Sequence, residues 1–118
     1  MASDVIVVGG GVVGAACAHA LARRQMRAFG AMVSFELHGG LEAGRQLLNG
    51  VKLCTQAVSL GDVRTLITHP PSTSHHLIAP AERRRAGIAD GLVRLSVGIE
   101  AEKDLLADLD RALGRVQA

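Results

Sequence analysis

The run Val5-Ile6-Val7-Val8, followed at once by Gly9-Gly10-Gly11-Val12-Val13-Gly14, constrains this chain more than any other segment. An unbroken stretch of β-branched residues reads as a buried strand, and a glycine-x-glycine-x-x-glycine turn directly after it predicts a strand-turn-helix unit of an α/β domain. In such a turn Gly9 permits the tight bend and Gly11 lets a pyrophosphate approach the backbone. Gly14 lets the helix pack closely on the strand, and the helix N-terminus attracts negative charge. An acidic residue some 20 positions further on would hold an adenosine ribose, and Glu36 is the candidate. Two readings stay open for the turn: it binds a phosphate or ADP group, or it is a bend without a ligand.

The rest of the chain alternates in the same way. A helix is expected over 12–27, with Val13, Ala16, Ala20 and Arg24 at helical spacing, and Gly30 stops it. A strand over 32–37 follows, then a helix over 41–53 with Leu41, Leu48 and Val51 on one face. Short strands are expected over 57–60 and 63–68, separated by Gly61-Asp62. The long connection from His69 to Gly91 should contain one short helix, with Pro80 in its first turn and Gly87 past its end. A strand over 92–97 and a helix over 100–115, striped by Leu105, Leu109 and Leu113, complete the order βαβαββ-loop-βα. The fold class is thus α/β, with residues 1–118 forming a single domain whose mixed β-sheet is covered by helices.

At 118 residues, 48% hydrophobic and 20% charged, the chain can bury a continuous core and is not of the disordered type. A net charge of +2 and two aromatic residues, Phe29 and Phe35, offer neither a basic field nor a base-stacking platform, so nucleic acid is not an expected partner. Arg83, Arg84 and Arg85 read as a solvated helix face. Cys17 and Cys54 are isolated in apolar stretches, which suits reduced, buried thiols and a cytoplasmic location. No segment is continuous enough to span a membrane, and Asp4 stands where a signal peptide would carry basic charge. His38, His69, His75 and His76 fit no zinc spacing and are expected to cap loops or sit on the surface, so no metal is expected. Ser72, Thr73 and Ser74 lack a buried acid to orient a neighbouring histidine, which speaks against a nucleophile.

Two resemblances add to this reading. Asp4-VIVVGGGVVGAACAHALAR resembles the opening of FAD-dependent oxidoreductases of the D-amino-acid oxidase and glycine oxidase type, and it implies FAD as the ligand of Gly9, Gly11, Gly14 and Glu36. From His19 onward the chain resembles the C-terminal domain of the pyridoxal-phosphate (PLP) enzymes of cysteine and methionine metabolism. The residues that carry this second likeness are HALARRQMRAFGAMVSFELHGGLEAGRQLLN, AVSLGDVRTLITHPPSTSHH and AERRRAGIADGLVRLSVGIEAEKDLLADLD. It implies Arg94, in LVRLSVGIE, as the partner of a substrate carboxylate, with Ser59, in AVSLG, beside it.

The two likenesses meet between Ala15 and His19, which divides the chain into a flavoprotein-like segment, 1–18, and a PLP-enzyme-like segment, 19–118. That junction leads to the expectation of an engineered chimera with no catalytic function of its own. Lys52 and Lys103, the only lysines, do not match the family's cofactor lysine, so PLP is not expected either. Two alternatives accompany this reading: dinucleotide binding at the glycine turn, and a fragment of a PLP-dependent homoserine-ester sulfhydrylase. Self-association is expected through apolar surface once covered by an absent large domain or by partner subunits, and no small-molecule ligand is otherwise specified.

Overall fold

Along the strand Met32–Leu37 the side chains alternate between an exposed or half-buried row and a buried one, Phe35 and Leu37, as the pleat of a one-sided sheet requires. This strand belongs to a computed structural model that describes residues 5–8 and 31–116. The strands, in chain order, are β1 (Val5–Val8), β2 (Met32–Leu37), β3 (Thr55–Gln56), β4 (Leu66–Thr68) and β5 (Leu92–Ser96). They form one five-stranded sheet in the order β1-β2-β5-β4-β3. β1 runs parallel to β2, and β3 parallel to β4, while β5 is antiparallel to both β2 and β4, so the sheet is mixed as expected. The helix expected over 12–27 and the turn from Gly9 to Gly14 lie outside the described residues.

Register sorts the side chains into two faces. Phe35 pairs with Val93, and Leu95 with Ile67, and these residues form the core with Leu37. Two helices, α1 (Gly40–Gly50) and α3 (Glu102–Leu113), cover this face with Ala43, Leu47 and Leu48 from α1 and Leu105, Ala112 and Leu113 from α3. Leu47, Ile67 and Val93 are fully enclosed, and each such side chain contributes about 1.5–3 kcal/mol on leaving water. A Cβ built on Gly50 would lie 3.1 Å from both Ala112 Cα and Cβ, so the two helices meet through small residues. The opposite face carries Ser34, Arg94 and Thr68 in one cross-strand row and Met32, Ser96 and Leu66 in the next.

The elements depart from expectation in instructive ways. α1 ends at Gly50 rather than Leu53, because the N–H groups of Lys52, Leu53 and Cys54 are taken by the Asp108 carboxylate instead of by carbonyls of the preceding turn. Its buried face is Ala43, Gly44, Leu47 and Leu48, with Leu41 only half-buried. The strand expected over 57–60 is an irregular loop, and the pairing strand is the two-residue β3 just before it. β4 is limited to Leu66–Thr68, since Asp62 Oδ1 accepts from the Arg64 N–H and forms a turn where the strand should have begun. α3 starts at Glu102 because the Glu100 side chain serves the distant Thr65. α2 (Pro80–Arg85) has the expected proline at its first turn, and Gly87, at φ +79°, follows its end.

Candidate functional site

Arg94 projects from the middle of β5 on the face away from the helices, between Ser34 of β2 and Thr68 of β4. Its Nη2 donates to the carbonyl oxygens of Val58 at 2.9 Å and Ser59 at 3.1 Å. Two residues along the same strand face, the buried Ser96 accepts at Oγ from the Gly61 N–H, 3.0 Å away. The loop expected as a strand is therefore strapped across the sheet by these two side chains. Gly61 sits at φ +79°, a backbone region that favours glycine, and lets the chain turn back at the end of the strap.

Arg94 is half-buried, and its Nε is buried without a hydrogen-bond partner among the described residues. The other arginines withdrawn from solvent are differently placed. Arg83 holds the Asp90 carboxylate at 3.0 Å, and Arg111 holds Asp108 in a close ion pair. Arg94 is held only by neutral carbonyls, which fix the plane of the guanidinium while leaving its charge without an anionic partner among the described residues.

Ser59 is exposed beside Arg94. Glu36 lies on β2, level with Val7 of β1 and Leu92 of β5, on the same sheet face as Arg94, and the two form no ion pair. Gly9, Gly11 and Gly14 lie outside the described residues. Arg94 and Ser59 are thus brought together, and Glu36 is not joined to them.

The basic run and one histidine need correction, while His38 and His76 are exposed as expected. Arg84 and Arg85 are exposed, but Arg83 is buried, giving Nη1 to the Ile78 carbonyl and Nη2 to Asp90, so the run is not a uniformly solvated face. His69 is fully buried rather than on the surface. Its Nε2 lies 2.8 Å from the Asp90 carbonyl and its Nδ1 2.7 Å from Ser72 Oγ. A ring that donates from Nε2–H and accepts at Nδ1 satisfies both contacts while neutral. Burial pushes its pKa down, against the opposing pull of the Asp90 carbonyl. The group behind His69 is a main-chain carbonyl, not the carboxylate that a nucleophilic triad uses.

Three carboxylates with organising roles were missed by sequence reasoning. Asp108 receives the N–H groups of Lys52, Leu53 and Cys54 at 2.8, 2.8 and 2.9 Å. Glu100 receives Thr65 through both its N–H and its hydroxyl at 2.7 Å. Asp90 joins Arg83 and Arg84. Each joins residues far apart in the chain or across a loop, and the one available signal was that Asp108 falls on the apolar face of a helix, between Leu105 and Ala112. Lys52 and Lys103, both exposed, lie just after α1 and in the first turn of α3, with the sheet between the helical layer and Arg94.

The family described as Cys/Met metabolism PLP-dependent enzyme matches residues 13–114. An L-methionine gamma-lyase of Fusobacterium nucleatum subsp. polymorphum is 57% identical over 98 residues, covering 83% of this chain and 25% of that protein. The O-succinylhomoserine sulfhydrylase of Pseudomonas aeruginosa is 45% identical over 95 residues, covering 80% of this chain and 24% of that protein. Among solved structures, cystathionine gamma synthase from Xanthomonas oryzae pv. oryzae, in complex with cystathionine, superposes with a TM-score of 0.67 at 52% identity, over 83% of this chain and 25% of that one. The chain spans about a quarter of the length of the relatives it matches.

These matches correct three expectations. A chain without enzymatic function is overturned, because the matched proteins are enzymes by name. The exclusion of PLP is overturned with it, because the matched family is PLP-dependent. The match also begins at residue 13 and takes in Gly14, upstream of the junction expected between Ala15 and His19, and nothing in it supports an engineered fusion or a flavoprotein origin. The described residues nevertheless do not fit the cofactor itself: PLP needs a desolvated lysine for its imine, and the chain's two lysines are exposed on the helical side of the sheet.

Proposed function

This chain belongs to the Cys/Met metabolism PLP-dependent enzyme family, and we propose that within such an enzyme it forms the wall of the active site that receives the substrate's carboxylate, with Arg94 as the anion partner and Ser59 beside it. PLP supplies an electron sink to the enzymes that carry it, and its anchoring residues belong to the part of the enzyme outside the matched quarter. What this chain contributes is binding and orientation of an amino-acid substrate.

The observation that carries the reading is the state of Arg94. A half-buried guanidinium whose Nε is enclosed and whose Nη2 pairs only with neutral carbonyls has no counter-ion among the described residues, and a carboxylate would satisfy it with charge-assisted hydrogen bonds. The carbonyls of Val58 and Ser59 hold the plane in place beforehand, so little side-chain freedom remains to be lost on binding. Apolar side chains around the strap, Val58 at 61%, Leu60 at 59%, Val63 at 64% and Ile99 at 82% exposure, support a face that meets the cofactor-bearing portion of the enzyme.

The test is a hybrid in which residues 13–114 replace the matching quarter of the Fusobacterium L-methionine gamma-lyase. Arg94→Ala in that hybrid should raise KM for L-methionine by about 30-fold or more, the cost of leaving a buried charge pair unmade. Arg94→Lys should recover only part of the loss, since an ammonium cannot reproduce the planar fork. An active hybrid whose KM is unmoved by Arg94→Ala would remove Arg94 from substrate binding.

A further inference from the structure

We infer that Ser96 is a positioning residue for Arg94: by holding the Gly61 N–H it fixes the Val58–Gly61 strap, and the strap in turn fixes the guanidinium. The inference rests on the reading of Arg94 as the carboxylate partner and extends it to a residue that does not touch the substrate.

Arg94 and Ser96 stand two positions apart on β5 and share one face of the sheet. Three hydrogen bonds join that face to the strap: Nη2 of Arg94 to the Val58 and Ser59 carbonyls, and the Gly61 N–H to Ser96 Oγ. The strap has no strand pairing beyond Ala57, whose N–H donates to the Ile67 carbonyl. Between that last main-chain bond and the Asp62 turn, the hydrogen bonds to β5 come from these two side chains. Arg94 cannot be both the part that is positioned and the whole of what positions it. Its long side chain has many rotamers, and it acquires one orientation only if the two carbonyls are themselves held still. Ser96 supplies this second point. It is 2% exposed, short and nearly free of rotamer entropy, and it is set between Met32 and Leu66 in the sheet. Its hydroxyl is too enclosed to serve a ligand and has one donor in its reach.

The experiment uses the full chain labelled with 15N. In the unmodified protein the Gly61 amide should be protected from hydrogen exchange relative to its neighbour Leu60, and the Arg94 Nε–H should show the relaxation of an ordered group. Ser96→Ala should speed Gly61 exchange by roughly three- to ten-fold, the factor carried by one neutral hydrogen bond, and should make the Arg94 Nε–H mobile. Ser96→Thr, which keeps the hydroxyl, should restore both. Gln56→Ala removes the side-chain bond to the Leu48 carbonyl and serves as a control that loosens α1 without touching the strap; it should leave the Arg94 signal unchanged. An Arg94 side chain as ordered in Ser96→Ala as in the unmodified chain would overturn the inference. If Ser96→Ala does not fold, the unmodified chain decides: a Gly61 amide that exchanges as fast as Leu60 overturns it. These readouts involve no substrate, so a failure of Arg94 to bind a carboxylate appears separately, in the KM of the hybrid.

Discussion

Asp108→Asn is the sharpest test of how the fold is held. One carboxylate oxygen of Asp108 accepts the Lys52 N–H and the other accepts those of Leu53 and Cys54, while Arg111 pairs with the first. An asparagine keeps one acceptor and turns the other towards an N–H as a donor. At least one main-chain donor is then left without an acceptor in a site only 5% exposed, at about 1–3 kcal/mol, and the ion pair is lost as well. Together these give about 3–5 kcal/mol, the range for breaking a buried charge pair, which is a large share of the 5–15 kcal/mol typical of a whole domain.

The same site gives the loss a pH signature. Burial pushes the Asp108 carboxyl up, but the Cys54 N–H, Arg111 and the Lys52 and Leu53 N–H groups outweigh it and bring the pKa from 3.8 down to about 2. A depressed carboxylate stabilises the fold above its unfolded pKa, and the contribution disappears as pH falls from about 4 through 2. Close to two units at about 1.4 kcal/mol each make roughly 2.5 kcal/mol. Urea midpoints of the unmodified chain and of Asp108→Asn should therefore differ most near pH 7 and converge by about that amount at pH 2. A gap below 1 kcal/mol at neutral pH, or one that does not narrow in acid, would refute the argument.

Gly44→Ala should be nearly as damaging although it adds one methyl group, because a Cβ there would lie 2.2 Å from His69 Nε2. The enclosed ring could make room only by giving up Asp90 or Ser72, so urea unfolding should show a loss of about 3 kcal/mol. Cys54 should be inert: burial first, and then the adjacent Asp108 charge, push its thiol up to about 12. Peptide mapping after iodoacetamide treatment at pH 8 should find Cys54 unmodified in the folded chain and alkylated once urea has unfolded it.

The elements most readable in the sequence were those whose periodicity is imposed by burial on one side. β2 and β5 alternate, and α3 repeats at helical spacing, since each presses one face on the same core. The ends of the elements were not readable. α1 stops where Asp108 takes its next N–H groups, and that acid lies more than fifty positions further along the chain. The apolar alternation in Ala57-Val58-Ser59-Leu60 suggested a strand, yet Val58 and Leu60 are exposed. Their hydrophobicity answers to a surface and not to the sheet, and periodicity alone cannot distinguish the two.

The candidate site was readable only through resemblance, and the reason is physical. Arginine occurs throughout the chain, and nothing in the neighbours of Arg94 along the sequence says that it will lack an acid. Among the described residues the acids are committed elsewhere: Asp62 to Arg64, Asp90 to Arg83 and Arg84, Asp108 to Arg111. Glu100, which lies six positions after Arg94, is turned away to Thr65, and Glu36, on the same sheet face, makes no ion pair with it. The acids nearest to Arg94 in sequence and on the sheet are thus either committed to structural work or, like Glu36, not paired with it. A half-buried cation that no described carboxylate neutralises gains charge-assisted hydrogen bonds when an anion arrives from outside. That gain, more than the presence of an arginine, is the ground on which we propose this face as the one that receives a substrate carboxylate.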